Sequence, residues 1–285
     1  MSRLPIYLRL GRVSNLPTVW TNVAAGIVLA GTRPGALVYA YTAAALSCFY
    51  VGGMFLNDAF DRESDARERP ERPIPSGAIA ATEVFAIGFG LLAAGVLLIA
   101  ARATRPAAVV AGSALAGMVV LYDCWHKRNP VSPLLMGACR WLVYATAALA
   151  VAGVLSLPVV VGATTLFAYL IGLTYAAKQE QLARLRSVWP LAFLMLPLIA
   201  GGSALAGGVV AAGVYVLLSI AVLAAVLLLR GTAPDRFPRA IAGLIAGIAL
   251  VDALAIANAG ATSTALLATL GWPATLVLQR WVRGT

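Results

Sequence analysis

An amide and three carboxylates stand at regular spacing near the start of the chain. The set consists of Asn57, Asp58, Asp61 and Asp65. Six of the 11 acidic residues of the whole chain fall between positions 58 and 71. On a helix, Asn57, Asp61 and Asp65 share one face, because residues four apart differ in direction by about 40°. Stacked carboxylates repel each other unless a cation neutralises them, and Mg²⁺ prefers hard oxygen ligands together with substrate phosphates. We therefore predict a magnesium–diphosphate site here; a solvated acidic and basic loop is the alternative.

A basic, proline-rich segment follows these carboxylates. It reads Arg69-Pro-Glu-Arg72-Pro-Ile-Pro-Ser-Gly77. Its turn-forming residues predict an irregular loop, and an arginine fork matches two phosphate oxygens at once. Arg72 is therefore a candidate for binding phosphate.

The composition indicates that a membrane surrounds this site. The chain has 285 residues, of which 61 % are hydrophobic and 11 % charged, and its mean hydropathy is +0.89. Soluble domains carry about 25 % charged residues, so a soluble globule, a disordered chain and a disulfide scaffold are all excluded. The net charge of +10 forms no basic stripe interleaved with aromatic residues, which argues against nucleic-acid binding. We expect a polytopic membrane protein surrounded by lipid, with no obligate protein partner.

A spanning helix needs about 20 apolar residues. Ten such segments occur within a single predicted membrane domain over 1–285, and they predict an all-α bundle of antiparallel helices: 14–31, 37–57, 82–101, 106–122, 133–153, 157–176, 188–206, 209–229, 239–258 and 263–282. With ten spans, 17 of the 21 basic residues fall on one side. The positive-inside rule makes that side cytoplasmic. The 19 arginines against 2 lysines hint at a GC-rich genome and thus at a bacterial inner membrane.

The acidic and basic motifs together resemble a known family. Asn57-Asp58-x-x-Asp61-x-x-x-Asp65 followed by Arg72-Pro-Ile-Pro-Ser-Gly77 resembles the first signature of the UbiA superfamily of intramembrane prenyltransferases. The segment Arg12-Val-Ser-Asn15 resembles part of its first helix. The resemblance implies an all-helical bundle, usually of nine spans, and Mg²⁺-dependent transfer of an isoprenyl group from its diphosphate to a small, often aromatic acceptor.

The resemblance also implies roles for individual residues. It implies catalysis by Asp61, Asp65, Arg72 and Lys127, and metal binding by Asn57, Asp58, Asp61 and Asp65. It implies substrate binding by a wider set: Asn15, Asn57, Arg72, Tyr122, Lys127, Arg128 and Tyr175.

The second acidic signature of the family is replaced in this chain. Where a motif of the kind YAxxDxxxD is usual, the sequence reads Tyr175-Ala-Ala-Lys178-Gln-Glu180. Only Glu180 remains as a carboxylate candidate for a second metal. One hypothesis is that Lys178 supplies fixed positive charge to the substrate in place of that metal; another is that the chain binds an isoprenoid without transferring it. The pattern also resembles a less characterised branch, the EboC-like proteins.

Two charged residues lie inside predicted spans. Charges within a membrane are costly and mark functional sites, so Arg140 is a candidate for binding an acceptor carboxylate or the diphosphate. Asp252 either pairs with Arg140 or forms hydrogen bonds between helices. An ion-coupled transporter would also use such charges, but it would require internal repeats, which the sequence does not display. Transfer of another group, such as phosphoribosyl, to a lipid phosphate is a further alternative.

Overall fold

The computed structural model describes residues 3–127, 129–179, 188–231 and 233–282. These residues form helices joined by turns and loops, and they include no β-strand. The all-α prediction is confirmed. The helices are α1 (Leu4–Leu10), α2 (Leu16–Leu29), α3 (Ala36–Glu68), α4 (Ala81–Arg102), α5 (Pro106–Trp125), α6 (Ser132–Ala152), α7 (Leu157–Lys178), α8 (Leu196–Ala200), α9 (Val209–Arg230), α10 (Arg236–Asn258), α11 (Thr262–Thr269) and α12 (Gly271–Leu278). Short 3₁₀ turns lie at Val13–Asn15, Trp189–Met195 and Gly202–Leu205.

Seven of these helices are long and apolar enough to cross a membrane: α3, α4, α5, α6, α7, α9 and α10. They have 20–33 residues each. Three shorter apolar stretches accompany them, at Val13–Leu29, Trp189–Ala200 and Thr262–Leu278. The ten predicted segments thus divide into seven long helices and three shorter stretches of a multi-pass membrane protein.

Two predicted spans differ from continuous helices. The segment 188–206 forms 3₁₀ turns around the short α8, and the segment 263–282 divides into α11 and α12. Proline explains both interruptions, since it lacks the N–H group that bonds the carbonyl four residues earlier. Pro190 and Pro197 interrupt the first segment, and Pro273 follows the break in the second.

The bundle is organised around α10, the most buried of the seven long helices. α9 packs along α10, α6 along α7 and α3 along α4, while α2 contacts both α6 and α10. Small residues allow close packing: a Cβ atom on Gly52 of α3 would lie 2.9 Å from the Gly88 carbonyl oxygen of α4.

One end of the bundle carries the predicted chemistry. α3 continues beyond its apolar segment to Glu68, so the acidic residues form its last turns, as the sequence predicted. The turn before α2, the loop after α3 and the connection after α5 meet these turns through the side chains of Arg12, Arg72 and Lys127.

Candidate functional site

The polar face of α3 is buried. Asn57, Asp58, Asp61 and Asp65 are each 4–8 % exposed. Burying so many carboxylates is costly unless cations compensate them. The structure therefore brings the four predicted ligands of the first metal together in a setting that requires positive partners.

Two of these positive partners come from the segments that follow α3 and α5. Arg72, in the loop after α3, lies 2.8 Å from Asp65 Oδ2 and 3.3 Å from Asp58 Oδ1. Lys127, after α5, lies 3.4 Å from Asp61 Oδ1 and 3.9 Å from Asp65 Oδ1. Both cations that were predicted to act in catalysis therefore lie at the acidic face.

His126 contributes a further nitrogen from the same connection. Its Nε2 lies 3.3 Å from Asp61 Oδ2, and its ring stacks on Tyr122 with the centroids 5.0 Å apart. Tyr122 is thereby fixed at the edge of the site.

Arg12 is a third cation of the site, and it was absent from the predicted site residues. Its guanidinium donates to Asn57 Oδ1 and Asp58 Oδ1, at 3.2 Å each. Its backbone is left-handed, with φ of 42°, a conformation that costs about 1 kcal/mol or more in residues other than glycine. Burial opposes the charge of Arg12, but Asp58 and the neighbouring acidic groups outweigh burial and hold the pKa of Arg12 above its ordinary value. The only sequence signal was its place in the Arg12-Val-Ser-Asn15 segment.

The residues present fit a magnesium ion completed by substrate oxygens. Lys127 Nζ lies within 3.9 Å of both Asp61 and Asp65, so these two carboxylates face a common point that already accommodates a positive group. Among the described residues, no three His, Cys, Asp or Glu side chains form a ready-made metal site. One or two carboxylates plus water and phosphate oxygens are the usual environment of Mg²⁺.

A cavity of about 70 Å³ adjoins this face. Its walls are mostly apolar, and its polar lining residues include Tyr50, Tyr122, Asp123 and Arg140. Asp123 links the cavity to the acidic face, because Asn57 Nδ2 donates to Asp123 Oδ1 at 3.1 Å. Asp123 was not among the predicted site residues.

Arg140 lies in the cavity wall, inside α6. It donates to Asn22 Oδ1 at 2.6 Å and to Thr18 Oγ1 at 3.2 Å, and its guanidinium carbon lies 5.4 Å from the centre of the Tyr50 ring. Arg140 therefore lies beside a cavity, and its direct hydrogen-bond acceptors are neutral side chains of α2.

Asp252 forms hydrogen bonds between helices, the second of the two predicted alternatives. Oδ2 accepts from Thr21 Oγ1 at 2.5 Å and from Asn22 Nδ2 at 2.7 Å, and Oδ1 accepts from Tyr144 Oη at 2.5 Å. Asn22 therefore bridges Asp252 and Arg140, and the two charges belong to one buried network.

Other predicted residues lie outside the acidic face. Asn15 is buried and accepts from Gln279 Nε2 at 2.9 Å. Lys178 donates to the Asn129 carbonyl at 2.6 Å and to Ser132 Oγ at 2.8 Å, so it holds the connection between α5 and α6. Tyr175 is half-buried in the last turn of α7. Arg128 and Glu180 lie outside the described residues.

Comparison with known proteins agrees with this architecture. A model of the UbiA prenyltransferase family matches residues 18–263. A digeranylgeranylglyceryl phosphate synthase from Ignicoccus hospitalis is 41 % identical over 97 residues, which are 34 % of this chain and 31 % of that protein. The matched part of this chain thus spans about a third of the length of that curated relative.

Two solved structures share the fold. A UbiA homolog from Aeropyrum pernix, in its apo form, has a TM-score of 0.65 at 17 % identity, covering 87 % of this chain and 97 % of that one. A UbiA homolog from Archaeoglobus fulgidus bound to DMAPP and Mg²⁺ has a TM-score of 0.54 at 14 % identity, covering 93 % and 99 %. Since the family model covers most of the sequence, the chain belongs to the UbiA prenyltransferase family.

Proposed function

We propose that this protein transfers an isoprenyl group from an isoprenyl diphosphate to a small acceptor within the membrane, with the help of Mg²⁺. The observation that carries the proposal is the buried acidic face of α3, whose carboxylates contact Arg12, Arg72 and Lys127. Carboxylates for a metal beside cations for phosphate oxygens are what a metal–diphosphate complex requires. The family membership and the DMAPP and Mg²⁺ in the Archaeoglobus fulgidus homolog support the same chemistry.

Each side chain has a distinct task in this reaction. Asn57, Asp61 and Asp65 would hold Mg²⁺, with Asp58 beside them. Bound Mg²⁺ supplies Lewis-acid stabilisation of the charge that develops on the leaving diphosphate. Arg72 and Lys127 donate hydrogen bonds to the diphosphate oxygens and stabilise the same charge.

The bond changes balance without a further reagent. The C1–O bond of the isoprenyl diphosphate breaks, C1 forms a bond to the nucleophilic atom of the acceptor, and the acceptor's proton leaves with the diphosphate. Water would capture the allylic cation, so it must be excluded. Apolar walls formed by Phe49, Leu115 and Val119 line the adjoining cavity and serve that purpose.

The acceptor and the membrane side are finer parts of the proposal. The family resemblance suggests an aromatic acceptor, whereas the Ignicoccus hospitalis relative is named for a glyceryl phosphate product. We propose that residues 1–285 form a single membrane domain. We assign the site to its cytoplasmic side, because most basic segments lie on the same side of the membrane as the site and the positive-inside rule makes that side cytoplasmic.

A matched pair of variants tests the proposal. Asp61→Asn removes a buried carboxylate of the acidic face, and Glu63→Gln removes the charge of an exposed carboxylate two residues away that pairs with Arg62. We expect Asp61→Asn to lower Mg²⁺-dependent release of diphosphate from geranylgeranyl diphosphate by about 10²–10³-fold, the loss typical of removing an electrostatic contribution to the transition state. Glu63→Gln should retain wild-type turnover. Equal turnover in both variants would refute the site assignment.

A second candidate is isoprenoid binding without transfer. It is favoured by the replaced second signature, in which Gln179 stands where the motif has its first aspartate. The neighbouring Lys178 is engaged with Asn129 and Ser132. This candidate predicts that geranylgeranyl diphosphate raises the melting temperature of the purified protein while no prenylated product forms with any acceptor. A single prenylated product would exclude it as the sole role.

A further inference from the structure

Asn57 differs from the other members of the acidic face in how it can present oxygen to a cation. A carboxylate such as that of Asp61 or Asp65 has two oxygens, so either orientation of the group turns an oxygen towards a metal ion. The amide of Asn57 has one oxygen and one NH₂ group, and the NH₂ group is a donor that cannot bind Mg²⁺. Asn57 can therefore serve as a ligand in only one of its two orientations.

Two neighbours define the orientation of this amide. Arg12 donates to Asn57 Oδ1 at 3.2 Å, and Asn57 Nδ2 donates to Asp123 Oδ1 at 3.1 Å. The reverse orientation would turn the NH₂ group towards a guanidinium and the oxygen towards a carboxylate, so both contacts would become unfavourable. Arg12 also donates to Asp58 Oδ1 at 3.2 Å, so the Asn57 oxygen lies on the same side as that carboxylate. A carbonyl oxygen accepts at two lone pairs, which leaves one for a metal ion.

The burial of Asp123 indicates a role beyond packing. Asp123 is 4 % exposed, and the cavity walls that α5 contributes beside it, Leu115 and Val119, are apolar. Its Oδ2 has no hydrogen-bond partner among the described residues. A buried carboxylate that is only partly satisfied is costly, and such groups within a membrane bundle mark functional sites. Since the Asp123 carboxylate accepts its hydrogen bond from Asn57, its function is to be sought at that amide.

We propose that Asp123 is a positioning residue of the metal site, which holds the Asn57 amide with its oxygen towards the ion. This inference rests on the proposed magnesium–diphosphate site and adds a residue that acts through one of its ligands. A group that hydrogen-bonds a metal ligand from outside orients that ligand, and its loss typically lowers metal affinity by about 10–100-fold. α5 thereby contributes to a site whose three proposed ligands lie on α3.

Binding of Mn²⁺, a paramagnetic substitute for Mg²⁺, tests this inference without turnover. The full-length protein in nanodiscs is titrated with Mn²⁺ in the presence of inorganic diphosphate, and electron paramagnetic resonance measures the free ion. Asp123→Leu replaces the carboxylate by an apolar group of similar shape and should weaken Mn²⁺ binding by about 10–100-fold. Asp123→Asn still offers an oxygen to Asn57 and should retain most of the wild-type affinity. The control is Cys124→Leu, at the exposed next position, which should bind Mn²⁺ as wild type does.

A double-mutant cycle shows whether Asp123 acts through Asn57. Asn57→Ala should itself weaken Mn²⁺ binding, and adding Asp123→Leu should weaken it no further, because the amide to be oriented is gone. Equal losses from Asp123→Leu in both backgrounds, or an Asp123→Asn variant as weak as Asp123→Leu, would overturn the inference. If Asp123→Leu does not fold, Asp123→Ala removes the same acceptor without placing a branched side chain in the cavity wall and should give the same loss.

Turnover separates this inference from the proposed function. When transfer occurs, Asp123→Leu should raise the Mg²⁺ concentration for half-maximal turnover by about the factor found for Mn²⁺ binding. If wild type forms a prenylated product and Asp123→Leu binds Mn²⁺ as tightly as wild type, the positioning role is refuted and transfer stands. If Asp123→Leu weakens Mn²⁺ binding through Asn57 but wild type forms no product with any acceptor, transfer is refuted and the positioning role stands.

Discussion

Replacing Asp252 by alanine should destabilise the bundle through the loss of one buried acceptor. Asp252 is fully buried on α10 and accepts hydrogen bonds from Thr21 and Asn22 of α2 and from Tyr144 of α6. A methyl group at this position accepts none of them. The three central helices would then lose the polar contact that joins them.

In the Asp252→Ala variant, two of the three hydrogen-bond donors would be left without an acceptor. Thr21 Oγ1 also lies 3.1 Å from the Thr18 carbonyl, so its hydroxyl retains an acceptor, whereas Asn22 Nδ2 and Tyr144 Oη lose theirs. An orphaned buried donor costs about 1–3 kcal/mol, and a hydrogen bond between membrane helices contributes about 0.6 and at most about 1.7 kcal/mol. For two donors, we expect a loss of about 2–4 kcal/mol in the free energy of unfolding.

Thermal unfolding of the purified protein in detergent measures this loss. We expect Asp252→Ala to lower the apparent Tm by roughly 5–10 °C, and Asp252→Asn to lower it by less than half as much, because the amide oxygen still accepts. The control is Asp235→Ala, which removes an exposed carboxylate that pairs with Arg239 at 3.5 Å. If Asp252→Ala were as stable as this control, or more stable than wild type, the assignment of Asp252 as the acceptor that joins these helices would be refuted.

Two further changes test the packing and the second signature. Gly52→Ala should lower the free energy of unfolding by about 1–3 kcal/mol through overpacking, since its Cβ would lie 2.9 Å from the Gly88 carbonyl oxygen. The control Gly90→Ala meets open space and should stabilise the helix by about 0.5–1 kcal/mol. Equal melting temperatures of the two variants would contradict the close approach of α3 and α4. Lys178→Met should loosen the connection between α5 and α6 that carries Lys127, and should thereby raise the donor KM about tenfold, the effect of one charge-assisted hydrogen bond. Lys178→Arg should largely restore the wild-type donor KM. An unchanged donor KM in Lys178→Met would show that the contacts of Lys178 with this connection are dispensable for donor binding.

The acidic face could be predicted because its pattern is local. A spacing of four residues fixes the relative direction of Asn57, Asp61 and Asp65 once the segment is helical, and the segment continues an apolar helix without a proline or glycine. Arg72 follows close enough in sequence to fold back onto the same face, and Lys127 was indicated by the resemblance. The seven long helices were predictable for a related reason, since their apolar length is itself the signal.

The contacts between distant segments were not predictable in the same way. Arg12 reaches Asp58 through a left-handed turn, and a single sequence carries no marker for a strained backbone at an arginine. Asp123 joins the site only because α5 packs beside α3, and one residue next to Tyr122 has no periodic signal. The network of Asp252 depends on α2 and α10, which are far apart in sequence and adjacent only in the folded bundle.

The charge balance at the acidic face bears on how the protein could bind a diphosphate without the second acidic signature. The negative charges of the site are the carboxylates of α3 and Asp123, and the positive charges are Arg12, Arg72 and Lys127. These fixed charges nearly cancel before any substrate is present. A diphosphate adds several negative charges to this buried region, where uncompensated charge is costly. The three cations that contact the acidic face, Arg12, Arg72 and Lys127, are already engaged with carboxylates. Lys178 is turned to the connection between α5 and α6, so we expect the additional positive charge to arrive with the donor. Mg²⁺ at Asp61 and Asp65 would supply it, and the donor and the metal would then bind as one unit on the face of a single helix.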